Sequence, residues 1–399
     1  MRTLSVMTGT RESAAPDSAA ATPRKRLAVR LIVSAVVAVV LVVVVTFALG
    51  WYFSSQVLNL DTTSYPVTVR SVSGDAVVLD GGTDTARPVR IGLTWPGGHA
   101  VLDDHASGHA GHVTRTVTRV TRGSLTTGVH ANMDMFVYAG DPQTARGLAF
   151  NTVAVPEPLG SAPAWYIPPT TSVPLRTWVI AVHGRGASRE ETLRVLPALA
   201  AAGVPTLAIT YRNDTGSPAS PDRSYHLGDT EWRDVAAAIG YARAHGAQSV
   251  ILYGWSMGGG MVLTALRRMP PADAAYINGL VLDSPVMDWK ATLDLQGAQR
   301  HLPQPLTWTA EKLVEQRAGL SLDSLNQLTY APRLQVPVLL FVDRSDTTVP
   351  PDQALRLAHL RPDLVTLVTT AGGDHTGSWN VDPGRYETAL QTFVAGVTR

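Results

Sequence analysis

Gly254-Trp255-Ser256-Met257-Gly258 has the form G-x-S-x-G. In that pattern a serine occupies a tight turn between a strand and a helix, and the flanking glycines let the backbone pass closely enough for the hydroxyl to project beyond the strand. Gly259 and Gly260 extend the small-residue surface. A serine hydroxyl is a weak nucleophile until an imidazole takes its proton, and the imidazole needs a carboxylate to hold it. With a nucleophile of this kind the acid and then the histidine follow downstream. The histidines after Ser256 are His301, His359 and His375. His359 falls in a helical stretch and His301 in the proline-flanked QRHLPQP, whereas His375 follows LVTLVTTAGGD, a loop at a strand end. His375 is therefore the expected base. The preceding strand-end loop, Val342-Asp343-Arg344-Ser345-Asp346, offers Asp346 as the first choice of acid and Asp343 as the second. The oxyanion of such a reaction needs backbone donors, expected from Met257 and, in His183-Gly184-Arg185-Gly186, from Arg185.

These residues must be carried by a rigid frame, and the sequence after about residue 146 supplies one. Apolar runs alternate with helical stretches: TWVIAVHG (177–184), PTLAITY (205–211), SVILYGW (249–255), INGLVLD (277–283), VPVLLFVD (336–343) and LVTLVTT (364–370). Continuous β-branched runs between helices mark a mainly parallel, doubly wound sheet buried on both faces. A helix is expected after Ser188, with Glu191 completing a capping box. His183 is expected to fix its loop through a backbone hydrogen bond.

Together VHGRGAS (182–188), GWSMGG (254–259), VLDSP (281–285), DRSDTTVP (343–350) and GDHTGSWN (373–380) resemble the α/β-hydrolase fold serine hydrolases, in the branch holding monoacylglycerol-lipase-like and prolyl-oligopeptidase-like enzymes. The resemblance covers residues 146–399. It implies a Ser256, Asp346, His375 triad, with a lid or cap segment over 284–335. The usual His-Gly pair ahead of the acid is here Val342-Asp343, which keeps Asp343 open. The whole chain is similar to membrane-anchored actinobacterial α/β-hydrolases.

Upstream, Leu31 to Phe53 is an apolar run of 23 residues, LIVSAVVAVVLVVVVTFALGWYF. That length spans a hydrocarbon core as a helix. Arg2, Arg11, Arg24, Lys25, Arg26 and Arg30 precede it, and the next basic residue is Arg70, which predicts an inside N-terminus and an extracytoplasmic catalytic domain. A cleaved signal peptide is the rival reading, but this run exceeds the 7–15 residues of a signal h-region. The expected organisation is a disordered cytoplasmic tail over 1–26, a transmembrane signal-anchor helix over 27–53, a small β-rich module over 61–145, and the catalytic domain over 146–399. The module rests on alternating runs such as YPVTVRSV, AVVLD and PVRIGLTW between Gly-rich turns.

Composition narrows the partners. The chain has 399 residues, no cysteine and a formal net charge of +1. Thiolate chemistry, disulfides and Cys-ligated metals are excluded, and no basic field draws nucleic acid. His99, Asp103, Asp104, His105, His109 and His112 could suit a metal, but their spacing matches no H-E-x-x-H helix, and a solvated loop is the expectation. His226 and Asp229 are expected as a loop residue and a helix cap rather than site residues. Asp283 and Asp288 are expected to cap or pair locally. Trp289, Trp308, Leu293, Leu302 and Leu306 fall in the lid segment as an acyl wall or as core.

The sequence thus predicts a cofactor-free carboxylic esterase acting by acyl transfer on a small-molecule or lipid-like ester. Open beside it are a peptidase or amidase with the same triad, a thioesterase, disfavoured by the outside location, and a non-catalytic envelope binding or scaffold protein. Acyl length and oligomeric state are not in the sequence.

Overall fold

The computed structural model describes residue 9 and residues 23–60, 63–109, 111–171 and 175–398. The tail expected over 1–26 lies outside these residues except for Gly9 and 23–26, and 23–26 already begin a helix. The chain forms two compact units, residues 1–49 and 50–399.

The first unit holds most of the helix Pro23–Leu58. Among the described residues this is the one helix long and apolar enough to cross a membrane. Its 36 residues make about 54 Å at 1.5 Å per residue, well beyond a ~30 Å hydrocarbon core. The helix thus runs to Leu58, past the expected end at residue 53, and its last nine residues belong to the second unit.

The second unit opens with a small closed barrel. Its strands are β1 (Val67–Ser73), β2 (Ala76–Asp80), β3 (Ile91–Trp95), β4 (Gly98–His109), β5 (His112–Arg122) and β6 (His130–Asp134), hydrogen-bonded in the order β1-β2-β5-β4-β3-β6 with β6 returning to β1. Inward residues Val69, Val77, Leu79, Ile91, Leu93 and Leu102 fill it. The His/Asp-rich stretch is not a solvated loop: it is β4 and the hairpin to β5. Pairing decides this: Ala100, Val101 and Leu102 are buried against the pairing strands, and the register shifts between Leu102 and Ala106, where Asp104 and His105 face solvent. His99 is fully buried, its Nδ1 2.6 Å from Thr121 Oγ1. Arg115, also buried, donates to the carbonyls of Thr85, Arg87, Val89 and Asp103 and so fixes the segment between β2 and β3.

The rest is an eight-stranded sheet: β7 (Asn151–Glu157), β8 (Gly160–Ile167), β9 (Thr177–Val182), β10 (Thr206–Ile209), β11 (Ser249–Trp255), β12 (Ile277–Asp283), β13 (Val338–Asp343) and β14 (Val365–Thr370). The order is β14-β13-β12-β11-β9-β10-β8-β7, with the β7-β8 and β8-β10 pairs antiparallel and the others parallel. Successive residues point to opposite faces. Ile180, Val182, Leu252 and Leu280 therefore enter one buried cluster while Val179, Ala181, Ile251 and Val281 enter the other. Each fully buried aliphatic side chain contributes roughly 1.5–3 kcal/mol, so the two faces of the sheet supply much of the unit's apolar stabilisation. The site loops leave from the C-terminal ends of β9, β11, β13 and the edge strand β14.

Candidate active site

Ser256 follows the last residue of β11 and precedes the helix Met257–Arg268. Its backbone, at φ 50° and ψ −118°, lies where L side chains are strained. Glycines make the turn feasible. A Cβ on Gly258 would lie 2.2 Å from the Val182 carbonyl oxygen, and one on Gly254 would lie 2.5 Å from the Gly258 carbonyl. The hydroxyl is thereby lifted above the strand ends.

Two neighbouring loops meet it. His375, after β14, places Nε2 2.8 Å from Ser256 Oγ. Its Nδ1 lies 2.8 Å from Asp346 Oδ2, on the loop after β13. Asp346 is buried, and its other oxygen accepts the N–H groups of Thr348 and Val349 at 2.8 and 2.9 Å. Burial pulls the imidazole's pKa down, but the Asp346 charge and hydrogen bond outweigh it and hold His375 above 6.5. Of the two carboxylates left open by the sequence, Asp346 is the one that meets His375. Asp343 instead accepts from Ser345 N, Thr370 Oγ1 and Gly373 N at 2.8–2.9 Å, tying the acid loop to the histidine loop.

The loop after β9 faces Ser256 from the other side. His183 is buried, its Nδ1 2.9 Å from the Gly184 oxygen and its Nε2 2.8 Å from Asp214. Tyr211 Oη donates to the same carbonyl at 2.9 Å. Glu191 makes no capping box; its Oε2 accepts Gly184 N at 2.8 Å, because the segment Arg189–Arg194 winds as a 3-10 helix that turns this side chain inward. The loop thus rests on buried polar partners. Met257 N is among the first helical N–H groups, which have no intrahelical acceptor. The Arg185 side chain reaches the end of the N-terminal helix, donating to the carbonyls of Gln56, Val57 and Asn59 at 2.8, 3.1 and 3.2 Å.

A cavity of about 440 Å³ opens beside Ser256 and His375. The helices Trp289–Gln299 and Gln304–Ala318, within the expected lid, form part of its wall. Trp289, Leu293 and Leu302 line it, with Trp289 Nε1 also donating to Leu227 O at 2.9 Å. Leu306 is buried outside the lining, and Trp308 is 59% exposed. Glu311 also lines the cavity, and burial pushes its carboxyl up to about 7. His226 faces Asp222 at 3.3 Å and Asp229 pairs with Arg268 at 2.7 Å, neither in the lining. Asp229 is not the cap of the following helix Trp232–Ala244, whose N-cap is Glu231. Asp288 caps its helix at Lys290 N and Ala291 N, whereas Asp283 accepts not only from the adjacent Ser284 Oγ but from Tyr386 Oη, 103 residues away.

Sequence reasoning missed Tyr52, Phe53, Gln56 and Val57, which line the same cavity. One signal was available: the uncharged run continues to Leu60, beyond what a membrane crossing uses. It also missed Arg87, whose contact with Asp374 joins residues 287 apart.

Residues 177–315 match the family model described as alpha/beta hydrolase fold. Residues 68–134, the barrel, match a model described as a domain of unknown function. Among solved structures, an esterase of Pyrococcus furiosus is similar over 66% of this chain and 96% of its own, at 20% identity and a TM-score of 0.52. A puromycin-hydrolyzing peptidase of Mycobacterium tuberculosis is similar over 82% of this chain and 47% of its own, at 19% identity and a TM-score of 0.51. No protein of curated function matches the chain in sequence. At these identities the structural likeness is one of fold, and the family match over 177–315 agrees with it: the chain carries the α/β-hydrolase fold.

Proposed function

We propose that the chain is a membrane-anchored serine esterase, with Pro23–Leu58 as the anchor and the catalytic domain outside the cytoplasm. Ser256 Oγ attacks the ester carbonyl as His375 Nε2 takes its proton. Asp346 holds the imidazole's Nδ1–H and stabilises the cation. The oxyanion is received by the N–H groups of Met257 and Arg185, each such donor being worth about 10²–10³ in rate. His375 returns the proton to the departing alcohol, leaving an acyl group on Ser256. Water, activated by the same imidazole, then releases the acid. The observation that supports this reading is the unbroken relay of two 2.8 Å contacts, Asp346 to His375 to Ser256. Apolar walls beside the serine suit an acyl chain.

Amide cleavage by the same relay is the second reading, favoured by the extent of the likeness to the puromycin-hydrolyzing peptidase. The two separate on paired substrates. The full chain, in detergent, is labelled with a fluorophosphonate and assayed on an ester and the matching anilide. Labelling lost in Ser256→Ala, with ester turnover far above anilide turnover, is expected. Anilide turnover equal to or above ester turnover contradicts the ester reading; a folded wild type without labelling contradicts both.

A further inference from the structure

The end of the N-terminal helix is built into the catalytic unit. From Gly50 onward it packs as a core element: Gly50, Ser54 and Leu58 are buried, with Ser54 and Leu58 at 0% and 1% exposure. A Cβ on Gly50 would lie 2.8 Å from Thr309 Cγ2 and 3.2 Å from Leu313 Cδ1, so the helix packs closely on Gln304–Ala318 at this glycine. Arg317 donates to the hydroxyls of Ser54 and Ser55 at 2.6 and 2.8 Å. Arg185 donates to the terminal carbonyls of Gln56, Val57 and Asn59, satisfying acceptors that a helix end leaves open. Tyr225 N donates to Leu58 O at 2.8 Å, and Asn59 forms a β-bridge with Ser224.

This packing has a direction. Tyr52, Phe53, Gln56 and Val57, at i, i+1, i+4 and i+5, lie on one helix face and line the cavity beside Ser256. Leu293, Leu302 and Val314 line the cavity with them. The cavity volume falls within the ~300–1,000 Å³ of small-ligand sites. Phe53 is at once the last residue of the apolar run and a wall of the cavity.

We propose that Gly50–Leu58 is a wall of the acyl-binding pocket and sets chain-length selectivity, the substrate being an ester with a long unbranched hydrocarbon chain drawn from the bilayer that holds the helix. This rests on the ester reading above. The anchor is then part of the substrate site as well as a tether. Arg185 couples the two: its side chain holds the helix end, and its backbone lies in the loop proposed to receive the oxyanion.

The test uses the full chain in detergent micelles with p-nitrophenyl acetate, octanoate and palmitate. Val57→Trp fills the pocket and is expected to lower the octanoate-to-acetate and palmitate-to-acetate ratios of kcat/KM by at least about tenfold, the scale on which hydrophobic pockets discriminate chain length. Phe53→Ala shifts the preference toward palmitate. Trp308→Ala, at an exposed lid position outside the lining, leaves the ratios alone. A second measurement needs no substitution: a long-chain fluorophosphonate with a terminal diazirine, attached at Ser256 and irradiated, is expected to crosslink within residues 50–60. Unchanged ratios in both helix variants, or crosslinks confined to other segments, overturn the wall assignment while the ester reading stands. A wild type that labels but hydrolyses no ester overturns the ester reading, and the substrate class falls with it.

Discussion

Arg87 Nη2 lies 2.7 Å from Asp374 Oδ2, joining the barrel to the residue immediately before His375. Asp374 also accepts from Thr347 N at 2.7 Å, one residue after Asp346. Nearby, Asn380 donates to the carbonyls of Arg90 and Met135 at 2.8 and 3.0 Å. The barrel is thus a buttress for the loops that carry the proposed base and acid.

Arg87→Ala should therefore loosen the histidine loop. A charge-assisted hydrogen bond of this kind contributes about 1.5–3 kcal/mol, so thermal unfolding should show a loss on that scale. Fluorophosphonate labelling should slow several-fold, with KM for a short ester little changed and Arg87→Lys partly restoring both. Burial pushes the Asp374 carboxyl up, but Thr347 and the Arg87 charge outweigh it and hold its pKa below 3.8. The stability this pair contributes is present above that value and lost as pH falls through the lowered one.

The pH–rate profile follows from His375. The base must be neutral, and its pKa is held above 6.5, so kcat/KM should rise with pH through a midpoint above 6.5. For stability the sign is opposite: the Asp346–His375⁺ contribution is full below 6.5 and disappears as pH rises through the folded-state pKa. Asp346→Asn removes the cause. The midpoint should move down and the rate should fall about 10⁴-fold, as loss of the orienting carboxylate does in such relays. Asp343→Asn should instead lower thermal stability, because its oxygens hold both loops, while leaving that midpoint in place.

Ser256 is strained, and removing the strain should be measurable. A positive φ on a non-glycine residue costs of order 1–3 kcal/mol, offset by the ~0.5–1 kcal/mol entropic cost of glycine. Ser256→Gly should raise unfolding stability by about 1 kcal/mol while abolishing labelling. Ser256→Ala should abolish labelling without that gain.

Gly258→Ala should fail to fold or lose several degrees in Tm. Its methyl would meet the Val182 carbonyl at 2.2 Å, a backbone atom that cannot swing aside, and overpacking costs about 1–3 kcal/mol or more.

Much of this was legible because local rules and tertiary structure agree. G-x-S-x-G between a buried strand and a helix, a histidine after the last strand and an acid after the one before define a nearly local geometry, since neighbouring parallel strands bring their end loops together. The choice between Asp343 and Asp346 was not local. Three residues apart in one loop, they differ in which way the loop turns, and that depends on the Thr370 hydroxyl and Gly373 N–H across β14. The same holds for Glu191, whose sequence position fits a cap but whose carboxylate serves the loop seven residues earlier. Strand β4 was read as a loop because its glycines, histidines and acids carry poor β-propensity, which barrel pairing overrides. The helix continues to Leu58 because its end packs on Gln304–Ala318, a tertiary contact that apolar length does not encode.

The most direct measurement is peptide mass mapping of the full chain acid-quenched while it turns over a slowly deacylated ester. The account predicts the acyl mass on the peptide containing Ser256, absent in Ser256→Ala and, in a His375→Ala variant acylated with an activated ester, retained longer than in wild type. Ester turnover with the acyl group on another residue, or with Ser256→Ala as active as wild type, would contradict it.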